Sequence, residues 1–129
     1  MPKNSFEQIL ELMIKSRPFR VGLGRYSHFW FFHCYFPHYV KLRTADFHRD
    51  IFALTEREDN GMTVLVAFRD SGKSTICTLS YPLWAILGRE QKKFVVILSQ
   101  TQRQARQHLT NIRKELEQNA LLRSDLGPF

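Results

Sequence analysis

Cysteine is nearly absent: Cys34 and Cys77 are the only two in the chain, and they form no C-x-x-C pair. That excludes a disulfide framework, and two free thiols suit a reducing cytoplasm. Long apolar runs are also missing. The most apolar stretch, Phe29 to Phe36, contains His33 and falls far short of a membrane span, so no membrane partner is expected. Met1-Pro2-Lys3-Asn4 leads into an amphipathic segment without a small-residue cleavage site, which argues against a signal peptide. There are no repeats, no low-complexity segments and no run of five basic residues. No Ser-His-Asp order or nucleophile elbow offers a hydrolase triad.

What remains is a chain of 129 residues, enough for one domain or part of a larger one, with a real core. Its 43% hydrophobic and 24% charged residues belong to a folded globular protein, and its eleven Phe fall heavily between Phe19 and Phe52. The formal charge is +7, from 19 basic and 12 acidic residues. Such an excess fits a polyanionic partner through counterion release, or simply a solvated basic surface.

Along the chain, Ser5-x-x-Gln8 resembles a capping box ahead of Phe6, Ile9, Leu10, Met13 and Ile14 at helical spacing. Arg17-Pro18 is expected to end that helix, and Gly22 and Gly24 to mark a loop. Residues Tyr26 to Phe36 read as a short, mostly buried helix stopped by Pro37, although their aromatics would also suit a strand. Thr44 looks like the N-cap of a helix from Ala45 to Glu56, and Asp59-Asn60-Gly61 like a turn. Met62 to Phe68 is a continuous apolar run of strand length, as is Lys93 to Ser99. A helix from about Lys73 to Leu87, kinked near Pro82 and ended by Gly88, separates them. Strand, helix and strand in that order predict a right-handed parallel crossover. Thr101-x-x-Gln104 opens a further helix to about Asn119, striped by Ala105, Leu109, Ile112 and Leu116, and residues Ser124 to Phe129 read as a loop.

The chemistry concentrates in Arg69-Asp70-Ser71-Gly72-Lys73-Ser74-Thr75. A bound triphosphate needs backbone N–H donors, a cation near the β and γ phosphates and a hydroxyl to hold Mg²⁺. The pattern G-x-x-x-x-G-K-[ST] supplies these at a helix N-terminus, where the dipole also favours anions. Here the pattern is complete from Gly72 onward, with Ala67 in place of the first glycine. The alternative is a plain strand-to-helix turn bearing a surface lysine. Arg69 would aim a guanidinium at the γ-phosphate, or pair with Asp70 at the surface. Asp70 would repel phosphates unless turned outward. His28, His33, Cys34 and His38 suggest zinc, but residues five apart on a helix point about 140° apart, so they read as core or surface histidines.

The string Val66-Ala67-Phe68-Arg69-Asp70-Ser71-Gly72-Lys73-Ser74-Thr75, followed by Tyr81-Pro82-Leu83-Trp84, resembles the ATPase domain of phage terminase large subunits. So does Ile97-Leu98-Ser99-Gln100-Thr101-x-x-Gln104-Ala105, leading to Ile112-x-Lys114-Glu115-Leu116-Glu117-x-Asn119. The resemblance runs from about Phe47 to Leu126. It implies an α/β fold, a partial P-loop NTPase of the ASCE type, with a parallel sheet and flanking helices over 44–129 and a helical, aromatic-rich region over 1–43. It implies ATP and Mg²⁺ as cofactors, with Lys73 on the phosphates and Ser74 on the metal. Ser71, Gly72 and Thr75 would complete the nucleotide contacts, and Arg69 would act in catalysis and coupling. His48 stands where the family has a glutamine-type adenine contact. Implied partners are double-stranded DNA, a portal and a small terminase subunit, in a bacterial host cell.

The family's second ATPase motif, an apolar strand ending in paired acids, has no counterpart after Lys73. Glu115 and Glu117 read as solvated partners of Lys114 and Arg113, and Asp125 as a loop residue. The expectation is an N-terminal terminase portion that binds ATP without efficient hydrolysis. A non-catalytic prophage remnant or packaging-complex module, and a helicase-type fragment, are the competing readings.

Overall fold

The computed structural model describes residues 4–41, 43–59 and 61–129. The turn expected at Asp59-Asn60-Gly61 therefore lies partly outside the described residues. Helices α1 (Ser5–Lys15), α2 (Arg17–Tyr26) and α3 (His28–Tyr35) follow one another with single-residue joints. A 3₁₀ turn (Pro37–Tyr39) leads on to α4 (Asp46–Thr55). After the phosphate loop, a π-helical stretch (Thr75–Ser80) runs into α5 (Tyr81–Leu87), and α6 (Gln102–Gln118) and α7 (Ala120–Leu126) close the order.

The expected α/β parallel sheet is overturned, because 65% of the residues are helical and no strand occurs among those described. Residues 62–68 and 93–99 belong to no regular element. Leu65 and Ile97 pack against the core, yet Met62 is 92% exposed, Val66 90% and Leu98 89%. The period of two is present, with one side turned inward and the other bare. A sheet needs a ladder as well as a pattern. Among the described residues, neither run donates or accepts a backbone hydrogen bond with the other. Apolar sequence reports which side chains avoid water, not whether a neighbouring backbone stands alongside.

Two smaller expectations also change. Arg17-Pro18 starts a helix instead of ending one: Ser16 caps the end of α1 and the start of α2, and Pro18 sits in the first turn, where a missing N–H costs nothing. Gly24, expected in a loop, lies inside α2 because α3 crosses there. A Cβ on Gly24 would come 3.3 Å from the Tyr35 ring, and the Gly24 carbonyl accepts from Trp84 Nε1 at 3.1 Å. The 73–87 helix does deform near Pro82, ahead of the proline. The Tyr81 N–H reaches five residues back to the Ile76 carbonyl, a wide turn that makes room for a ring lacking an N–H. Gly88 caps its end.

Helix α3 lies at the centre. His28, Phe31, Phe32, His33, Cys34 and Tyr35 are all buried, and one apolar cluster joins them to Met13, Phe52, Leu83, Ile112 and Leu122. The buried polar groups around α3 are paired. Arg20 donates to both oxygens of Asp125, at 2.5 and 2.9 Å, and to the Met13 carbonyl, while Tyr35 donates to Asp125 at 2.9 Å. Burial alone would raise the Asp125 pKa, but the hydrogen bonds from Arg20 and Tyr35 outweigh it and hold the carboxyl below its ordinary value. Asp125, expected in a loop, is thus the anchor of α7. Glu115, expected in solvent, is buried and accepts from His38, Tyr39 and Asn119. Glu117 does pair with Arg113, one turn away. No helix among the described residues is long and apolar enough to cross a membrane.

His28 is wholly enclosed. The Thr55 hydroxyl donates to the Phe52 carbonyl, so it accepts from His28 Nδ1–H at 2.6 Å, and His28 Nε2 accepts from Ser80 at 2.7 Å. Burial, reinforced by neighbouring His33, pushes His28 down from 6.5 to about 3. The unfolded chain takes up this proton near pH 6.5, whereas the folded chain resists it until about 3. The stabilisation from neutral His28 is therefore complete above pH 6.5 and is lost as the pH falls towards 3. Urea unfolding is expected to show stability dropping by up to about 1.4 kcal/mol per pH unit from this residue as pH goes from 6 to 4. A flat profile across that window would contradict the buried neutral imidazole.

Candidate functional site

The phosphate loop sits between irregular residues 62–68 and the helical start at Lys73. Two residues bend it. Asp70 has φ 61° and Gly72 φ 82°, both in the left-handed region, where glycine is at ease and Asp is tolerated. Ala67 is not among the positive-φ residues. The position of the pattern's missing first glycine thus makes no demand that alanine fails to meet. Lys73 Nζ donates back across the loop to the Ala67 carbonyl at 2.7 Å. The contact needs only the Ala67 backbone as acceptor, so alanine serves there as well as glycine.

Arg69 to Thr75 line one open cavity of about 500 Å³. Arg69, Asp70, Gly72 and Ser74 are exposed, and Lys73 and Thr75 are half-buried. Among the described residues Arg69 has no ion pair with Asp70, which leaves its guanidinium available to solvent. Ser71 is only 3% exposed, and its Oγ has no hydrogen-bond partner. A buried hydroxyl without a partner is costly in an otherwise satisfied core. Ser71 lines the cavity, and its Oγ is itself turned away from solvent. The Ile76 N–H reaches the Gly72 carbonyl at 3.1 Å and Thr78 Oγ1 donates to the Ser74 carbonyl at 2.6 Å, so the helix starts firmly behind the loop. The first-turn N–H groups point the other way, into the mouth. Cys77, one turn on, has its thiol pKa pushed up by burial, against a smaller opposing effect of the Lys73 charge. It stays protonated, behind the loop and outside both cavities' linings.

A second cavity of about 470 Å³ adjoins the first and shares Asp70, Ser71, Gly72 and Thr75 with it. Its far side is apolar, with Phe32, Val40, Phe52 and Ile76, and with Phe47 and Phe68 in an edge-to-face pair 5.3 Å apart. Sequence reasoning missed this pair. The signal was there, since Phe68 directly precedes the loop and Phe47 precedes His48.

His48 is placed differently from the expectation. Thr44 does not cap α4, because its hydroxyl is engaged by His33 Nε2 at 2.7 Å, and Ala45 takes the N-cap position. The Ala45 N–H is then accepted by His48 Nδ1 at 3.0 Å. The other ring nitrogen, Nε2, lies 2.7 Å from the Ser71 carbonyl. A backbone N–H can only donate and a carbonyl can only accept, so the ring is neutral with its proton on Nε2. Both nitrogens are occupied by backbone. In this arrangement the imidazole has no atom left for an adenine edge.

Comparison of the chain with protein-family models, curated proteins and solved structures returns no match. The site must therefore be judged on its own chemistry: an ammonium, a guanidinium, a buried hydroxyl and a helix N-terminus gathered around one mouth. Among the described residues, Asp70 is the only carboxylate lining either cavity. Gly72 is the most exacting position. Gly72→Ala is expected to destabilise the fold by about 1–2 kcal/mol through left-handed backbone strain. The new Cβ would stand 3.5 Å from His48 Nε2, an ordinary contact, so strain and not a clash sets the cost. Urea unfolding checks this, and a cost under about 0.3 kcal/mol would show that residue 72 does not hold the left-handed conformation.

Proposed function

We propose that the chain binds a nucleoside triphosphate, with its phosphates in the 69–75 loop. The observation carrying this reading is the unsatisfied, buried Ser71 Oγ beside Lys73, within a loop bent by two left-handed residues. An ordinary turn would have no reason to hide a hydroxyl without a partner. A triphosphate would receive the loop N–H groups, the Lys73 ammonium after it leaves Ala67, and the Arg69 guanidinium. Ser74, exposed in the first helical turn, has the hydroxyl for a Mg²⁺ that accompanies the nucleotide. These groups bind and orient.

A DNA-packaging ATPase of the terminase large-subunit type is the broader reading, supported by the strings at 66–75 and 97–105. On that reading ATP is the nucleotide, and double-stranded DNA, a portal and a small terminase subunit are partners within a bacterial host. The reading rests on the loop and these strings, since the described residues form no sheet. Polarising an attacking water needs a carboxylate, and among the described residues Asp70 is the only one at the cavities. Binding without efficient hydrolysis follows. A packaging-complex docking module is the second reading, favoured by the bare side chains of Met62, Val66, Phe94 and Leu98.

Calorimetric titration with ATP and Mg²⁺ separates the two. The unmodified chain is expected to bind, and Lys73→Ala to weaken binding by at least about tenfold, the loss of one charge-assisted contact. Released phosphate should stay near background in both. Equal affinities would remove Lys73 from the site, and brisk turnover abolished by Lys73→Ala would contradict the non-hydrolytic reading.

A further inference from the structure

We infer that His48 is a positioning residue of the phosphate loop, and that the nucleotide site reads no base edge and takes adenine and guanine triphosphates with little discrimination. This rests on the triphosphate-binding reading above and names the substrate class of that site.

The inference starts from saturation. His48 Nδ1 accepts from Ala45 N–H at 3.0 Å, and Nε2–H donates to the Ser71 carbonyl at 2.7 Å. The ring is a strut between the start of α4 and the loop. It holds the Ser71 carbonyl, and with it the peptide that leads into left-handed Gly72, two residues that line both cavities. The closest side-chain atom to a Cβ at Gly72 is this same Nε2, at 3.5 Å.

Three other polar side chains beside the apolar cavity, His33, Thr44 and Tyr39, are committed as well. His33 Nδ1 lies 2.8 Å from the Phe29 carbonyl and so carries a proton, which makes His33 Nε2 the acceptor for the Thr44 hydroxyl at 2.7 Å. Tyr39 spends its hydroxyl proton on Glu115. The Phe47–Phe68 pair and its apolar neighbours offer a base only contact and stacking, which every base accepts through its π-face. A site that hydrogen-bonds a particular edge discriminates by several powers of ten, whereas one built on apolar contact does not. The charged groups at its rim, Lys41, Arg43 and Asp70, are all exposed, and a solvated side chain fixes no single base edge as a buried polar group does.

The test titrates the full chain with ATP, GTP and inorganic tripolyphosphate. ATP and GTP are expected within about threefold of each other, with tripolyphosphate weaker but measurable. An ATP-to-GTP ratio beyond about tenfold in either direction, with tripolyphosphate still bound, would overturn the base-tolerant site and leave the phosphate site standing. Binding by none of the three would remove the phosphate site, and this inference with it. In a second arm, His48→Ala is expected to weaken all three ligands alike, by about tenfold. His48→Gln, which keeps one acceptor and one donor, should restore tripolyphosphate affinity, whereas filling the volume alone would not. Loss of ATP with tripolyphosphate unchanged in His48→Ala would make His48 a base contact and overturn its positioning role. Should His48→Ala fail to fold, the His48→Gln and three-ligand comparisons still decide.

Discussion

Helix α3 can exist only where both its apolar surface and its two imidazoles are enclosed and satisfied, and much of the molecule is arranged to meet that demand. Its hydrophobic residues leave no face for water. Helix α2 therefore crosses it at Gly24, where the absence of a side chain allows close approach. His28 takes hydroxyls from Thr55 on α4 and from Ser80 at the end of the π-helical stretch. His33 takes the hydroxyl of Thr44. That last bond has a consequence at a distance. Deprived of Thr44, α4 begins at Ala45, its cap N–H falls to His48, and His48 in turn holds the Ser71 carbonyl. The core reaches the phosphate loop through three hydrogen bonds.

The loop itself asks little of its surroundings. Its bend comes from Asp70 and Gly72, its closure from Lys73 on a backbone carbonyl, and its rear wall from the helix that starts at Lys73. None of these depends on a paired strand. The loop's bend thus holds where the apolar run before it is only half covered. The π-helical stretch after it, set up by Pro82, brings Ser80 to His28 and ties the same helix into the core.

Features governed by neighbouring residues were legible in the sequence. The buried α3, the Thr101-capped α6, the deformation near Pro82, the stop at Gly88 and the loop at Gly72 and Lys73 all follow from local pattern. Features governed by distant partners were not. Residues 62–68 and 93–99 carry strand-like composition, but a ladder depends on what lies beside them. Asp125 and Glu115 look like solvent residues on their own elements, and become buried anchors only once Arg20, Tyr35, His38 and Tyr39 arrive from far along the chain. That both ring nitrogens of His48 meet backbone was hidden for the same reason. Its role was set by Thr44 being drawn to His33, a competition between two helices that no motif records.

The claim on which the rest stands is that phosphates bind at the loop. Amide chemical shifts of the ¹⁵N-labelled chain, followed as ATP and Mg²⁺ are added, test it most directly. The account predicts the largest saturable shifts at Ser71 to Thr75, with Ala67 responding as Lys73 lets go of its carbonyl. Shifts confined to α6, or none at all, would contradict it.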